Sequence, residues 1–254
     1  VGFLSMAPAP SSPHSRRMIH VSAASSSAVH SSTRLFLDSA CRDAIRAYLP
    51  AGTFYGVTTN PLILERDQGK CTLEYVSNLR DELAMMPCEE LQVQAWGETA
   101  KDMHECGLRL ADLATDGIRI VVKVPATRQG FEACRLLIHD GVPVTVTAVY
   151  NPQQVLAALA VGAEYAAPYL GRMNDAGRDG FGNIVDMQSI VESSDGDTRI
   201  LVASLRSARE LASLAAEGCD TFTFSPAVAE ELFTDPLTMT ASADFEAAAK
   251  RIGG

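Results

Sequence analysis

The sequence lacks the features that would assign it to several common classes of protein. No stretch approaches the roughly 18 consecutive apolar residues of a membrane-spanning helix. No cluster of basic residues is larger than Arg16-Arg17, and the net charge is -10, from 31 acidic and 21 basic residues. Because nucleic-acid-binding proteins usually present a basic face, this balance argues against nucleic acid and membrane surfaces as partners and leaves small molecules.

Cysteine pairs with the spacing of a zinc or thioredoxin-like site are also absent. The six cysteines form no CxxC pair, and none is spaced from a histidine as metal ligands are. Most lie in segments of helical character, where a free cysteine is usually buried and unreactive. We therefore expect a reducing compartment and no structural disulfide.

The first 33 residues differ in composition from the rest of the chain. They contain ten serines, three prolines and three histidines but no acidic residue, and the first acid is Asp38. They also lack the long apolar segment of a secretory signal. This composition resembles an organelle transit peptide, for which we expect a plastid (chloroplast) destination, with the mitochondrion or cytoplasm as alternatives. A disordered tail without a targeting function is the other interpretation.

From Arg34 onward, short apolar or β-branched runs alternate with segments of helical periodicity. Such alternation indicates parallel strands joined by helical crossovers, and eight repeats predict a single α/β domain, a (β/α)8 TIM barrel at 34–254, preceded by a disordered leader at 1–33. An open, doubly wound sheet is the alternative, although the first run is not followed by the Gly-rich turn typical of that fold. The predicted strands are 34–38, 54–59, 91–95, 119–124, 143–147, 163–167, 199–203 and 221–224.

Glycines and one proline mark the ends of the predicted helices. Gly117, Gly141, Gly162 and Gly218 each precede a predicted strand, as expected for the left-handed residue that often follows a helix. Asn151-Pro152 is typical of a helix N-cap followed by proline in the first turn.

The polar residues at the strand ends indicate the chemistry, because a (β/α)8 barrel has its active site there. Asp38 is the only carboxylate among them and no histidine is present, so the set lacks the ligands of a hydrolytic metal site. The strand-end residues are Asp38, Thr58, Thr59, Asn60, Gln94, Lys123, Thr145, Thr147, Tyr169, Ser204, Arg206 and Ser225.

Lys123 is the most informative residue. The chain has four lysines, and only Lys123 lies in a run, IRIVVKVPA, that otherwise predicts a buried strand. A buried ammonium group either pairs with a carboxylate or loses its proton. Pairing with Asp38 would give Lys123 a structural role. A neutral amine would instead be a nucleophile that forms an imine with a carbonyl substrate, and the imine would assist cleavage of a neighbouring C–C bond, with Asp38 as the proton shuttle.

Two arginines near the ends of the sixth and seventh strands indicate a phosphate site. Arg172 follows the sixth strand in PYLGR, and Arg206 follows the seventh in ASLR, with Ser204 between them. Late loops of such a barrel often bind phosphate, and two guanidinium groups can clamp it. The alternative is that either arginine pairs with the surface carboxylates of an acidic protein.

Five short motifs resemble those of one enzyme family. They are GVTTNP at 56–61, VVKVPAT at 121–127, TAVYN at 147–151, APYLGR at 167–172 and ASLR at 203–206. In order and spacing they are similar to the small-type transaldolase and fructose-6-phosphate aldolase family of class I aldolases, and they span nearly all of 34–254. The resemblance implies a barrel enzyme that acts on sugar phosphates without a cofactor or metal, and it implies a homo-oligomer.

The resemblance also implies roles for the strand-end residues. Lys123 matches the Schiff-base residue, Asp38 the acid that takes part in proton transfers, and Thr147 the threonine that helps to place the catalytic water. The substrate-binding residues that it implies are Asn60 and Thr58 for the substrate hydroxyls, and Arg172, Ser204 and Arg206 for the phosphate.

Gln94 and Tyr169, the remaining catalytic candidates, bear on which reaction is performed. Transaldolases of this family usually carry Glu at the end of the third strand, whereas Gln94 and Tyr169 look like the fructose-6-phosphate aldolase branch. An amide cannot accept a proton as a carboxylate does, so the branches must handle protons differently.

The resemblance therefore predicts a transaldolase of pentose-phosphate carbohydrate metabolism. Such an enzyme transfers a dihydroxyacetone unit from fructose 6-phosphate or sedoheptulose 7-phosphate and gives glyceraldehyde 3-phosphate or erythrose 4-phosphate. Cleavage alone, as in fructose-6-phosphate aldolase, is the alternative. Two remoter alternatives are another imine-forming sugar-phosphate aldolase, which would use a second lysine at a neighbouring strand end, and a non-catalytic barrel.

Overall fold

The computed structural model describes Gly2 and residues 33–253, and the described chain contains a closed barrel of eight parallel strands. The strands are β1 (Arg34–Asp38), β2 (Gly56–Thr58), β3 (Glu90–Gln94), β4 (Arg119–Pro125), β5 (Val144–Val149), β6 (Tyr165–Pro168), β7 (Arg199–Val202) and β8 (Thr221–Phe224). Each strand pairs with the next in the sequence, and β8 pairs with β1. The predicted (β/α)8 barrel is thus confirmed.

Helices follow the strands on the outside of the barrel. In the described residues none is both long and apolar enough to cross a bilayer. The helices are α1 (Arg42–Tyr48), α2 (Pro61–Arg66), α3 (Leu73–Leu83), α4 (Ala100–Ala111), α5 (Arg128–His139), α6 (Pro152–Val161), α7 (Leu170–Asp175), α8 (Gly180–Glu192), α9 (Ala208–Ala216), α10 (Pro226–Glu231) and α11 (Pro236–Arg251), with a 3-10 turn at Leu49–Ala51.

The local sequence fixes where three helices begin. Asn60, Asn151 and Ser225 each accept a hydrogen bond from the backbone N–H three residues further on, and each is followed by a proline at the first helical position. These helices therefore start within about two residues of a strand end, which keeps the connecting loops at the C-terminal mouth of the barrel short.

All eight predicted strands are present, with ends that shift by at most two residues. Gly141, Gly162 and Gly218 have the expected positive φ, at 80°, 80° and 95°. The prediction for Gly117 is wrong: α4 already ends at Ala111, and Gly117 lies in the turn that follows without a left-handed conformation.

The core has two parts, and the part to which a strand side chain belongs shows whether it points into the barrel or towards the helices. A large apolar layer separates the outer face of the strands from the helices, and a smaller cluster that includes Phe36, Val121 and Tyr165 fills the barrel interior. Because side chains alternate along a strand, residues two positions beyond Phe36 and Val121 also point inward. These residues are Asp38 and Lys123.

A charged network lies at the N-terminal end of the barrel, opposite the strand ends with the predicted site. Glu90 is fully buried there and accepts hydrogen bonds from Gln92 Nε2 at 2.8 Å, Arg119 at 2.9 Å and the Tyr165 hydroxyl at 3.2 Å. Burial raises the pKa of Glu90, and the Gln92 and Arg119 contacts oppose that shift. The hydrogen bonds of this network satisfy the buried polar groups at the N-terminal end of the barrel. Side chains therefore fill the barrel interior at this end.

All six cysteines are free, as predicted. Four of them are buried, whereas Cys41 is half-buried and Cys71 is exposed. Burial raises the pKa of the Cys88 and Cys134 thiols to about 12, which suppresses the reactive thiolate.

Two predictions concern the N-terminal leader and the C-terminal helix α11. The predicted leader lies outside the described residues, apart from Gly2 and Thr33, so the transit peptide stays a prediction. At the other end, none of the α11 residues is buried in the described chain, and Leu237 and Phe245 are 82% and 73% exposed. These exposed apolar residues are available for a subunit interface, and the homo-oligomer also stays a prediction.

Candidate active site

Lys123 lies in the barrel interior near the C-terminal end of β4. Its side chain is 3% exposed, and it is in register with Gln94 on β3 and Thr145 on β5. Burial lowers the pKa of Lys123, and the Asp38 carboxylate partly opposes this shift. In the described chain no ion pair with an N···O distance of 4.0 Å or less involves Lys123. The close pairing that would give this lysine a structural role is therefore not formed, and a neutral, nucleophilic amine is favoured.

Asp38 ends β1 and faces the same interior as Lys123. The Thr58 hydroxyl donates a 2.6 Å hydrogen bond to Asp38 Oδ1. Burial raises the pKa of Asp38, while the positive charge of Lys123 and the Thr58 hydrogen bond lower it. Shifts of opposite sign in a neighbouring acid and base are typical of groups that exchange protons during a reaction.

One cavity of about 230 Å3 opens onto both groups. It is smaller than the roughly 300–1,000 Å3 of most drug-sized ligand sites, so it suits a small metabolite. Two cavities of about 530 Å3 lie around Glu164 at the other end of the barrel, and no lysine lines them. The smaller cavity is lined by Asp38, Asn60, Leu62, Ile63, Arg66, Lys123, Tyr169, Arg172, Ala203, Ser204 and Thr223.

Tyr169 and Thr147 form one side of the site. Their hydroxyl oxygens are 2.9 Å apart, and the Tyr169 ring meets the Tyr150 ring edge-on at 5.7 Å between centroids. The register between β5 and β6 shifts between Val146 and Val149, and Ala148 has a φ of 56°. This bulge re-aims Thr147 at the end of β5, as bulges near active sites often do. Burial raises the pKa of Tyr169, so its hydroxyl keeps its proton at neutral pH.

The predicted phosphate residues come from the loops after β6 and β7. Arg172 and Ser204 line the cavity, and the Arg172 guanidinium lies 5.3 Å from the centre of the Tyr169 ring. Ser204 has a φ of 59°, a conformation that costs a non-glycine residue about 1–2 kcal/mol. A Cβ added to Gly171 would lie 2.5 Å from the Ser204 carbonyl oxygen, so only glycine permits the two loops to approach this closely.

Arg172 and Arg206 differ in their partners. In the described residues Arg172 has no carboxylate within ion-pair distance, whereas Arg206 donates to Asp175 Oδ2 at 2.7 Å and does not line the cavity. The structure thus brings Arg172 and Ser204 together with Lys123, and it places Arg206 beside them in a surface ion pair. The contact of Arg206 with phosphate stays a prediction.

The other predicted residues occupy three different positions. Asn60 lines the cavity, and because its Oδ1 caps α2 through the Ile63 N–H, its amide protons remain available to a substrate. Gln94 is half-buried and in register with Lys123, but it does not line the cavity. Thr58 is fully buried beneath Asp38, so its position favours support of the carboxylate over contact with substrate.

The sequence analysis missed Thr223 and Arg66, which both line the cavity. Thr223 lies on β8 and its oxygen is 2.5 Å from that of Thr58. The alternation in TFTF, with Phe222 and Phe224 facing the helices, identifies Thr223 as an inward-pointing residue. Arg66 is the last residue of α2, six residues beyond Asn60, and is held by Asp67 through contacts of 2.7 and 3.0 Å.

Comparisons with known proteins identify a matching family model and similar sequences. Residues 35–253 match the family model described as Transaldolase/Fructose-6-phosphate aldolase. A "Probable transaldolase" of Nitrosopumilus maritimus (strain SCM1) is 32% identical over 206 residues, which cover 81% of this chain and 89% of the relative. A protein of the same name from Maridesulfovibrio salexigens is 35% identical over 216 residues, which cover 84% of this chain and 95% of the relative.

Solved structures share the fold at low sequence identity. A mandelate oxidase structure superimposes with a TM-score of 0.53 at 14% identity and covers 78% of this chain and 72% of its own. A structure titled "Native KDPGal structure" gives a TM-score of 0.52 at 14% identity and covers 75% of this chain and 81% of its own. At these identities the likeness concerns the barrel alone.

Proposed function

This chain belongs to the transaldolase/fructose-6-phosphate aldolase family and is an aldolase-type enzyme, and on this basis we propose that Lys123 forms a Schiff base with a ketose phosphate. The observation that carries the proposal is the buried amine of Lys123, which has no carboxylate within ion-pair distance among the described residues and shares a small cavity with Asp38 and Arg172. The proposed substrates are fructose 6-phosphate and sedoheptulose 7-phosphate, within pentose-phosphate carbohydrate metabolism.

The first step joins enzyme and substrate. The neutral Lys123 amine attacks C2 of the ketose to give a carbinolamine, which takes up a proton on its hydroxyl group and loses water to give a protonated imine. Arg172, with Ser204, binds the phosphate at the far end of the substrate, and the amide of Asn60 holds its hydroxyls. The support for these roles is that all four side chains line the same cavity.

The second step breaks the C3–C4 bond. Asp38, through a water molecule or with the Tyr169–Thr147 pair, removes the proton of the C4 hydroxyl. The electrons of the C3–C4 bond move into the imine, glyceraldehyde 3-phosphate leaves from a hexose substrate, and a dihydroxyacetone enamine stays on Lys123. Attack of this enamine on erythrose 4-phosphate gives transaldolase activity, whereas protonation and hydrolysis release dihydroxyacetone and give aldolase activity.

Borohydride trapping tests the proposal. Wild-type protein incubated with fructose 6-phosphate and borohydride should gain the mass of a reduced dihydroxyacetone adduct on the peptide that contains Lys123. The same incubation with and without erythrose 4-phosphate, followed by measurement of sedoheptulose 7-phosphate and free dihydroxyacetone, separates transfer from cleavage. Absence of an adduct, or an adduct on another lysine, would contradict the proposal.

Substitution of Gln94 and Tyr169 tests what decides between transfer and cleavage. Gln94 is in register with Lys123, and the Tyr169 hydroxyl is bound to Thr147 near the same amine. We expect Gln94→Glu to favour transfer, because a carboxylate can hold the proton network that an amide cannot. Tyr169→Phe should act in the same direction, because it removes a hydroxyl that can protonate the enamine.

The ratio of transfer to cleavage should rise in each single variant and rise further in the double variant. Single proton-transfer groups contribute about 10²–10⁴-fold at most, and a neighbour can substitute in part, so the change is modest. The measurement is the ratio of sedoheptulose 7-phosphate to dihydroxyacetone. Equal ratios in all variants would mean that other residues, such as those at 173–183 around the connection between α7 and α8, decide the outcome.

We also propose that residues 1–33 are a plastid transit peptide. Support comes from their composition, in which ten serines and two arginines occur without an acid. A reporter fused to this segment should enter plastids, and the matched fusion with Arg16→Glu and Arg17→Glu should stay in the cytosol. Deletion of the segment should change neither activity nor melting temperature. A reporter that stays in the cytosol or enters mitochondria would refute the plastid destination.

A further inference from the structure

Thr223 is a cavity residue to which the mechanism above gives no role. It lies on β8 and is 1% exposed, and its hydroxyl oxygen is 2.5 Å from that of Thr58. The Thr58 hydroxyl in turn lies 2.6 Å from Asp38 Oδ1. Side chains from β8, β2 and β1 thus form one chain of hydrogen bonds that ends at the Asp38 carboxylate.

The number of available protons fixes the direction of these hydrogen bonds. A threonine hydroxyl has one proton, and an ionised carboxylate can only accept. When Asp38 is ionised, Thr58 must therefore give its proton to Oδ1 and accept that of Thr223. When Asp38 is protonated, the chain can reverse, so that Asp38 donates to Thr58 and Thr58 donates to Thr223. The same heavy-atom positions satisfy Thr58 in both protonation states.

We propose that Thr223 is a positioning residue that acts through Thr58 to hold Asp38 ready for proton transfer in either protonation state. The inference rests on the proposed function, because the proton concerned is the one that Asp38 exchanges during imine chemistry. The hydrogen-bond chain occupies Oδ1. In the described residues no donor is bound to Oδ2, so this oxygen is available to a substrate or a water molecule in the cavity.

Four other ionisable groups act on Asp38, and none of them replaces this chain. Lys123 on β4 and Arg66 on α2 favour the carboxylate, whereas Asp67 after α2 disfavours it. Tyr169 after β6 is affected by the Asp38 charge in turn. In the described chain none of the four forms a hydrogen bond with Oδ1, whereas the threonine pair is bound to this oxygen and can reverse its hydrogen bonds when Asp38 gains or loses its proton.

Loss of the Thr223 hydroxyl has a predictable effect on pH dependence. Hydrogen bonds in a chain polarise one another, so the Thr58 bond to the carboxylate weakens when Thr223 no longer donates to Thr58. The ionised form of Asp38 then loses stabilisation, and its pKa, already raised by burial, rises further. Because Asp38 acts as a base when it is ionised, the acid limb of the rate profile should move to higher pH.

The test compares Thr223→Val, which has the same shape without the hydroxyl, with Thr223→Ser, which retains it. We expect Thr223→Val to lower kcat about tenfold, less than the roughly 10²–10⁴-fold contributed by a group that transfers the proton itself, with little change in KM and with the acid limb shifted to higher pH. Thr223→Ser should restore the wild-type profile. Thr198→Val is the matched control, because Thr198 is also a buried threonine, but it lies just before β7 and its hydroxyl donates to the Ala163 carbonyl, away from the site.

The outcomes separate this inference from the proposed function. An unshifted pH profile in Thr223→Val would overturn it, and so would a loss of activity that is uniform with pH and matched by Thr198→Val at equal loss of melting temperature. Failure of Thr223→Ser to restore the profile would overturn it as well. A wild-type protein that forms no borohydride adduct with fructose 6-phosphate would overturn the proposed function, and this inference with it.

Discussion

Replacement of Lys123 by Met or Arg should reduce aldol cleavage and transfer by about 10⁴–10⁶-fold, the scale seen when a covalent nucleophile is removed. Neither side chain can form an imine, although Arg retains the charge and Met retains the length. The amine of Lys123 is buried and forms no close ion pair within the part of the chain that the structure describes, so the described fold does not depend on an ion pair at this position. The measurement is the initial rate together with the borohydride adduct.

Stability should respond very differently from activity in these variants. Removal of a buried amine relieves its desolvation, whereas the loss of its charge also leaves the Asp38 carboxylate less stabilised. These terms oppose each other, so the melting temperature of Lys123→Met should stay within about 2–4 °C of wild type, which corresponds to about 1 kcal/mol for a domain of this size. A large loss of melting temperature would indicate a structural role for the lysine.

A second lysine supplies the control for this experiment. Lys101 is 81% exposed and is paired with Glu105 on the surface of α4. Lys101→Met should therefore retain both the adduct and the wild-type rate. An adduct that persists in Lys123→Met would place the Schiff base elsewhere and remove the basis of the proposed chemistry.

The strands and the reactive lysine were predictable from local sequence, because both depend on short-range patterns. Short apolar or β-branched runs recur at each strand, and a lysine within IRIVVKVPA has to be buried wherever that strand lies in the core. The direction of the side chain follows from alternation once the barrel is known. Lys123 and Asp38 could therefore be assigned to one site before their distance in space was known.

Contacts between distant segments explain what the sequence did not reveal. The hydrogen bond between Thr58 and Thr223 joins residues 165 positions apart, and no local pattern encodes it. The bulge at Ala148 and the positive φ of Ser204 occur at ordinary residues without the glycine that usually marks such a conformation. This acidic protein offers Arg206 many carboxylates. Arg206 pairs with Asp175 because α7 packs against the loop after β7.

This difference between the two arginines leads to the second large expected effect. Arg172→Ala should lower kcat/KM for fructose 6-phosphate about 10- to 100-fold, since hydrogen bonds to charged groups contribute about 1.5–3 kcal/mol. Arg206→Ala should cost less, because the Arg206 guanidinium is already bound to Asp175 at 2.7 Å. Arg172→Lys should recover part of the loss, because it restores the charge without the planar fork that binds two phosphate oxygens.

Unphosphorylated substrates show whether Arg172 acts on the phosphate. The Arg172 guanidinium also lies 5.3 Å from the Tyr169 ring centre, so its removal can disturb Tyr169 as well as phosphate binding. The rate of Arg172→Ala with unphosphorylated fructose measures the effect on Tyr169 alone, and we expect it to remain within about fivefold of wild type, as for a cation–π contact of about 0.5–1 kcal/mol. Dissolved ions screen the attraction between Arg172 and the phosphate. Added salt should therefore reduce the difference in rate between wild type and Arg172→Ala for fructose 6-phosphate but not for fructose. Equal losses for both sugars would instead move the phosphate site away from Arg172, towards another cation of the cavity such as Arg66.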